Sequence, residues 1–281
     1  MIERILRSVT NIPTFPDAVQ KVMALLKNED YSVTDVAKVI RYDQGMAANI
    51  LKMSNSAYFG ASSKIRSIPD AVICLGQKNL LRVLETACTA TFFKKAGGGY
   101  VSDASELWEH SVAVALMSQI LSRHIQKQDD AALYTAALLH DIGKVILGQY
   151  VRESYVRIRG LVVESGYSFL EAEEEVVGIN HADLGGRIAE QWRFPTDIRD
   201  AIAYHHRPDS LGDASAAIPW LVYLADQSCL MMGIDGGMDG LAHRGLSETL
   251  QKFDFHQKDL ERSWVLLLEE LKQAKELVRI V

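Results

Sequence analysis

The stretch Ala136-Ala137-Leu138-Leu139-His140-Asp141-Ile142-Gly143-Lys144 puts two adjacent metal-type side chains at the polar end of an apolar run. Consecutive helical residues point about 100° apart, yet an imidazole and a carboxylate can converge on one cation held in a crevice beside them. Lys144 follows His140 by one helical turn, which brings an ammonium toward any anion that such a cation attracts. Taken alone the pair has a second reading, a histidine whose ring is oriented by a neighbouring carboxylate.

Company changes that balance. His110 stands in Leu107-Trp108-Glu109-His110-Ser111, His181 in Ile179-Asn180-His181-Ala182, the doublet His205-His206 follows, and Asp226 closes the series in Leu224-Ala225-Asp226. Each interrupts or ends an apolar helical pattern and is expected to face inward, where an unpaired imidazole or carboxylate is costly. One divalent ion satisfies several such groups at once. Oxygen and nitrogen ligands without thiolate suit Fe, Mn, Zn or Co better than Mg, and this many exceed the needs of one tetrahedral ion, so one or two ions are expected. For the doublet two readings stay open: both rings are ligands, or one is and the other meets solvent or a carbonyl. His124, His243 and His256 lie in charged or loop contexts and carry no role.

The order His110, His140-Asp141, His181, His205-His206, Asp226 resembles the HD superfamily of metal-dependent phosphohydrolases, and within it the HD-GYP arrangement. Asn11-Ile12-Pro13-Thr14-Phe15-Pro16, Tyr42-Asp43-Gln44 through Asn55-Ser56-Ala57-Tyr58-Phe59-Gly60, and Ser67-Ile68-Pro69-Asp70-Ala71-Val72 to Leu75-Gly76 are similar to the HDOD family, a bacterial all-helical signalling module. The resemblance implies an all-α, HDOD-type multi-helix fold, with an N-terminal helical lobe packed on an HD-type helical bundle. It implies that His110, His140, Asp141 and Asp226 form the shared ligand core and that His181, His205 and His206 extend it toward a second ion. HDOD proteins frequently lack the full ligand set and are regarded as regulatory, whereas this chain keeps every position. After His206 the chain reads Arg207-Pro208-Asp209-Ser210-Leu211, without the Gly-Tyr-Pro signature, which leaves cyclic dinucleotide hydrolysis unsupported.

With two ions Asp141 is the natural bridge, Lys144 is the second candidate catalytic residue, and Lys144, Arg187 and Arg207 are candidates to hold an anionic nucleotide or other phosphate ester. The competing reading is a non-catalytic module whose metal is structural or sensory and whose output is a signalling protein partner. A nucleic-acid regulator is disfavoured by the net charge of −6 and pI near 5.8, which also argue against an anionic membrane surface. The start Met1-Ile2-Glu3-Arg4 does not read as a leader and no run approaches a spanning length, so a cytoplasmic protein is expected. Cys74, Cys88 and Cys229 are expected to be buried free thiols.

In outline, residues 1–96 read as the N-terminal lobe and residues 97–281 as the metal-binding lobe with C-terminal helices, divided at Lys94-Lys95-Ala96-Gly97-Gly98-Gly99. Asp17, Ser32 (with Asp35) and Asp43 are candidate helix caps, Asn55 and Ser56 a turn, and Gly76 the junction of two buried helices. The second lobe is expected to hold helices at about 104–125, 129–148, 151–164, 168–191, 195–206 and 216–232, with Ser168-Phe169-Leu170-Glu171 opening the fourth and Gly178 a candidate break before His181. Gly185-Gly186 lacks the setting of a phosphate loop. Gly236-Gly237-Met238-Asp239-Gly240 reads as a loop, and residues 246–281 as two helices, the last with Trp264, Leu267, Leu268 and Leu271 packed on its own domain.

Overall fold

The computed structural model describes residues 2–10, 15–26, 28, 30–55, 65–93, 100, 104–125, 131–212, 217–234, 250, 253 and 255–278. Among these residues every regular element is helical and none is a strand. In chain order they are α1 (Ile2–Thr10), α2 (Asp17–Leu26), α3 (Val33–Arg41), α4 (Gln44–Ser54), α5 (Ile68–Phe93), α6 (Ala104–Ile125), α7 (Ala131–Leu139), α8 (Ile142–Ser165), α9 (Phe169–Val177), α10 (His181–Gln191), α11 (Thr196–Tyr204), α12 (Ala217–Met231) and α13 (Gln257–Val278), with a 3-10 turn at Pro208–Leu211. The chain forms two compact units, one of Met1–Ile12 with Thr91–Leu271, the other of Pro13–Ala90 with Lys272–Val281.

In the smaller unit the helix starts follow local side-chain chemistry. Ser32 accepts from the Asp35 amide at 3.2 Å to open α3, and Asp43 accepts from the Met46 amide at 3.0 Å to open α4. Asn55 binds the Leu51 carbonyl and both backbone groups of Ile65, so its polarity is absorbed by a turn. α5 is two helical stretches joined at Gly76, whose φ of 65° and ψ of 170° break the helix. Ala71, Val72 and Leu75 form its buried face, while Cys74 lies exposed beside Ile73 on the other side, correcting the expectation of three buried thiols. Cys88 is half-buried and Cys229 buried.

The larger unit is built around helices that have no solvent face. Leu133 through Leu139 of α7 and Leu221 through Cys229 of α12 are buried without exception, which explains their nearly continuous apolar sequence. α6 packs on α7 and α12, α11 on α7, α10 and α12, and α8 on α9 and α10. The stretch Ala131–Ser165 is long and apolar enough to cross a membrane, but 83% of its most apolar window is buried inside the fold. On α13 the buried row is Leu260, Ser263, Leu267 and Leu271, whereas Leu268 is exposed, so the inward stripe is one residue narrower than its sequence suggests.

Boundaries differ from the sequence expectation where the site is formed. The helix expected at 129–148 ends at Leu139, and α8 then runs unbroken through the gap expected at 149–150. His140 and Asp141 occupy the turn between α7 and α8 rather than the interior of one helix, so their side chains are not tied to the 100° spacing of consecutive helical residues. The expected 168–191 helix is split at Gly178, in the left-handed region at φ 92°, after which Asn180 caps α10 by accepting from the Asp183 amide. The Ser168/Glu171 capping box at the start of α9 is present in both directions. The Lys94–Gly99 and Gly236–Gly240 segments, His243, Ser56 through Gly60, the Asp17 side chain and the first of the two C-terminal helices lie outside the described residues.

Close helix contact requires Gly143. A Cβ there would sit 1.9 Å from the His181 carbonyl oxygen and 2.9 Å from the Gly185 amide, both backbone atoms that cannot swing aside. Gly185 and Gly186 face Ile202 and Ala203 of α11 at 2.9 and 2.8 Å in the same sense, so this pair serves helix packing. Gly143→Ala is expected to destabilise the protein by about 3 kcal/mol or more, beyond the usual cost of overpacking. Gly160→Ala on the same helix, where an added Cβ meets nothing within 4 Å, is expected to stabilise by about 1 kcal/mol. Equilibrium urea unfolding of the two variants checks the contrast.

Candidate metal centre

Three helix junctions and the interiors of two helices deliver the polar side chains. His110 comes from α6 and Asp226 from α12, His140 and Asp141 from the α7–α8 turn, His181 is the first residue of α10, and His205 and His206 form the turn after α11. All but His206 are at most 1% exposed, and His206 is half-buried. Lys144, in the first turn of α8, is fully buried as well.

Four of the imidazoles are gripped from behind. His110 Nδ1 lies 2.9 Å from the Ile234 carbonyl, His140 Nδ1 2.7 Å from the Ala137 carbonyl, and His205 Nδ1 2.7 Å from the Ile202 carbonyl. A carbonyl oxygen cannot donate, so each of these nitrogens must carry the proton, and in the neutral ring Nε2 is left with a lone pair. His181 Nδ1 lies 2.8 Å from Glu173 Oε2, which imposes the same tautomer through a carboxylate.

The Nε2 atoms converge on Asp141. His140 Nε2 and His110 Nε2 lie 3.3 and 3.7 Å from its Oδ2, and His181 Nε2 and His205 Nε2 lie 3.5 and 3.7 Å from its Oδ1. Asp226 Oδ1 joins the first group, 3.1 Å from His110 Nε2 and 4.0 Å from His140 Nε2. His206 Nε2 joins the second, 3.0 Å from His181 Nε2. Ligands each about 2.1 Å from one ion at tetrahedral or octahedral angles stand about 3.0–3.4 Å apart, close to these separations.

Among the buried atoms of this cluster, His110 Nε2, Asp141 Oδ1 and His205 Nε2 make no aligned hydrogen bond. Polar atoms so deeply buried and so placed are costly unless a cation takes them up, so the donor set fits one. The cluster divides into two overlapping groups, one of His110, His140 and Asp141, the other of Asp141, His181, His205 and His206, sharing only the Asp141 carboxylate. Thiolates take no part. Burial pushes Cys88 up to about 12 and Cys229 well above the usual thiol range.

Charge is distributed unevenly. Burial opposes ionisation of Asp141, but His140 and the Lys144 ammonium, 2.6 Å away, outweigh it and hold the carboxyl well below the usual range. Burial, reinforced by His140, drives His205 down to about 3, so its ring is neutral and presents the Nε2 lone pair. For His110 and His181 burial also pulls downward, yet Asp226 with Asp141 in one case and Glu173 with Asp141 in the other raise them above the ordinary value.

Two sequence candidates stand outside this cluster's core. Arg207 is exposed, with its guanidinium 2.8 Å from Asp183. Arg187 is exposed on α10 and lines a surface cleft of about 440 Å³ together with Asp183, Glu190, Arg199 and Asp200. Conversely, Glu173 was not legible as a site residue. Its sequence, Glu171-Ala172-Glu173-Glu174-Glu175, reads as a solvated charge run, but Phe169, Ala172, Glu173 and Val177 form the buried face of α9, and a carboxylate on that apolar row is the signal that marks it. His124 and His256 are exposed, beside Asp259, as their contexts suggest.

Removing the Asp141 charge takes away the carboxylate that the buried Lys144 ammonium meets at 2.6 Å. Asp141→Asn is therefore expected to cost about 3–5 kcal/mol in metal-free protein, and most of that is expected to return in the double variant with Lys144→Met; denaturant unfolding measures both. Above pH 6.5, where His205 is neutral in both the folded and the unfolded chain, the pH trends of metal-free and metal-loaded protein are expected to run in opposite directions. Raised His110 and His181 stabilise the metal-free fold below their unfolded values near 6.5, and that contribution is lost as pH rises through their higher folded values. A cation needs these rings deprotonated, so its affinity rises with pH over the same range and loading releases protons. Unfolding and Mn titrations at several pH values, in two buffers of different ionisation enthalpy, check both signs.

The HDOD domain family matches residues 12–208 of this chain. A structure of an HDOD domain protein of unknown function from Geobacter sulfurreducens is 27% identical, with a TM-score of 0.72 over 100% of this chain and 97% of its own. Two others share the fold at lower identity. A proposed signal transduction protein from Marinobacter aquaeolei VT8 is 19% identical at TM-score 0.74, over 96% of this chain and 60% of its own. A proposed metal-dependent phosphohydrolase from Shewanella amazonensis SB2B is 18% identical at TM-score 0.62, over 95% of each chain. The chain spans 38% and 19% of the length of the first curated relatives that it matches. With more than half of its length matched and the all-helical architecture shared, the chain belongs to the HDOD family.

Proposed function

We propose that this HDOD protein is a cytoplasmic bacterial signalling protein whose seven-residue cluster holds one or two divalent ions and hydrolyses a nucleotide or another phosphate ester. The observation that carries the proposal is the common tautomer: four imidazoles held by Nδ1, with Nε2 turned toward the two oxygens of one aspartate. Core packing alone has no need for that convergence. His110, His140, Asp141 and Asp226 would hold one ion, and Asp141, His181, His205 and His206 the other. Such ions supply Lewis acidity toward water and a phosphoryl group.

The chain's own residues do the rest. Asp141 keeps the two groups in register through its two oxygens. Lys144 neutralises that carboxylate and stands ready to meet an anionic substrate group at the same place. Arg207 follows His206, the most accessible ligand, and it and Arg187 on the outer side of α10 would have to exchange acidic neighbours such as Asp183 for a substrate phosphate. The most apolar window of Ala131–Ser165 is 83% buried inside the fold, which suits the proposed compartment. A regulatory reading is favoured by a different observation: Asp141 and Lys144 are fully buried, so a phosphate ester reaches them only if something moves. On that reading the ion is structural or sensory and the output is a partner protein.

Metal analysis of purified protein, followed by phosphodiesterase and phosphatase assays with added Mn, separates the two. The catalytic reading predicts metal-dependent turnover that falls more than about a hundredfold in His140→Ala and Asp141→Ala, since even residues that only orient ligands cost 10–100-fold. Bound metal without turnover on any nucleotide would leave the regulatory module.

A further inference from the structure

The two groups of ligands are not held in the same way. His110, His140 and His205 give their Nδ1 protons to backbone carbonyls, whereas His181 alone gives its proton to a buried carboxylate, Glu173. Glu173 is itself fully buried and fully engaged. Its Oε2 accepts from both the His181 amide, at 2.9 Å, and His181 Nδ1, at 2.8 Å, and its Oε1 accepts from the Tyr100 hydroxyl. The Tyr100 ring stands edge-on to His181 with centroids 6.3 Å apart, packs on Phe169 at 5.9 Å, and has the Lys144 ammonium 5.8 Å from its centroid. A tyrosine, a glutamate and a histidine thus form a chain of buried hydrogen bonds that ends at the His181 Nε2 atom, 3.0 Å from His206 Nε2 and 3.5 Å from Asp141 Oδ1.

We infer that Glu173, steadied by Tyr100, is the positioning residue of the second ion site, and that it sets the binding of a divalent cation by His181, His205 and His206 without setting that of the His110, His140 and Asp226 group. Three physical points lead there. A carboxylate behind an imidazole makes the opposite nitrogen a better donor than a carbonyl does, and it fixes ring orientation as well as tautomer. Because one oxygen binds both the backbone amide and the ring of His181, Glu173 sets where α10 begins relative to the direction of the ring. Burying a carboxylate is expensive, and among the described residues the groups bonded to this one are Tyr100 and His181, a residue of the cluster. Three charge-assisted bonds to one side chain make a rigid support.

The inference rests on the proposed metal site, and the test is arranged so that the two fail separately. Metal-free full-length protein is titrated with Mn alone, and bound equivalents and affinities are read for wild type, Glu173→Gln, Glu173→Leu and Tyr100→Phe, with thermal unfolding to establish that each is folded. Gln is the informative variant. Its amide oxygen can accept both His181 protons and its NH2 can donate to the Tyr100 hydroxyl, so shape, tautomer and hydrogen bonding survive while the negative charge goes. Wild type is expected to bind two equivalents; Gln is expected to weaken the second by about tenfold and Leu by about a hundredfold or more, leaving one tight equivalent. Tyr100→Phe is expected to show a smaller loss in the same equivalent, and adding His110→Ala to Glu173→Leu should abolish the one that remains. A wild type that binds no Mn overturns the metal site and this inference with it. A wild type that binds Mn, with folded Gln and Leu variants that match it in both equivalents and affinity, overturns the role of Glu173 alone.

Discussion

An imidazole buried in a protein has one nitrogen to spend on structure and one on chemistry, and this fold decides which is which four times over. In each ring Nδ1 is bound to an acceptor supplied by the protein, three times a carbonyl and once Glu173, so that Nε2 is the atom presented to the centre. The carbonyls of Ala137 and Ile202 sit three residues before His140 and His205, at the ends of α7 and α11. There helical carbonyls have run out of intrahelical donors. Placing a histidine just past a helix end therefore solves two problems with one bond, satisfying an orphan acceptor and fixing a tautomer.

That arrangement explains why much of the site, His140, Asp141, His181 and His205, lies at junctions. The turn between α7 and α8 lets His140 and Asp141 face one point, and Gly143 lets α8 start against the His181 carbonyl without collision. Lys144 then falls one turn into α8, where its ammonium meets Asp141 at 2.6 Å. The buried ammonium balances negative charge that would otherwise be hard to hold at such depth. Stability and function are coupled here, because Asp141 partners Lys144 and also faces both groups of imidazoles.

Much of this was legible in the chain. His140-Asp141, His181 and Asp226 break apolar patterns, which is the mark of a polar group turned inward, while the all-helical class was what the family resemblance implied. The caps at Ser32, Asp43 and Ser168 were readable because their chemistry is local. Harder to read was anything that depends on where a helix stops. A period of 3.6 residues carried the α7 pattern smoothly through His140, although α7 ends at Leu139. Glu173 was hidden by the acidic run around it, since charge composition averages over faces that the fold treats separately. The exposure of Cys74 and of Leu268 has the same cause: an apolar neighbourhood in sequence does not say which side of a helix has a partner. Arg187 looked near His181 along the chain, but it sits on the exposed side of α10.

The central claim is that these side chains exist to hold cations, and anomalous diffraction from crystals grown with Mn tests it without reference to activity. The account predicts anomalous density between His110, His140, Asp141 and Asp226, and again between Asp141, His181, His205 and His206, with each imidazole bound through Nε2. Crystals that show no anomalous density at either place, or rings that turn Nδ1 inward and break their bonds to Ile234, Ala137 and Ile202, would contradict it.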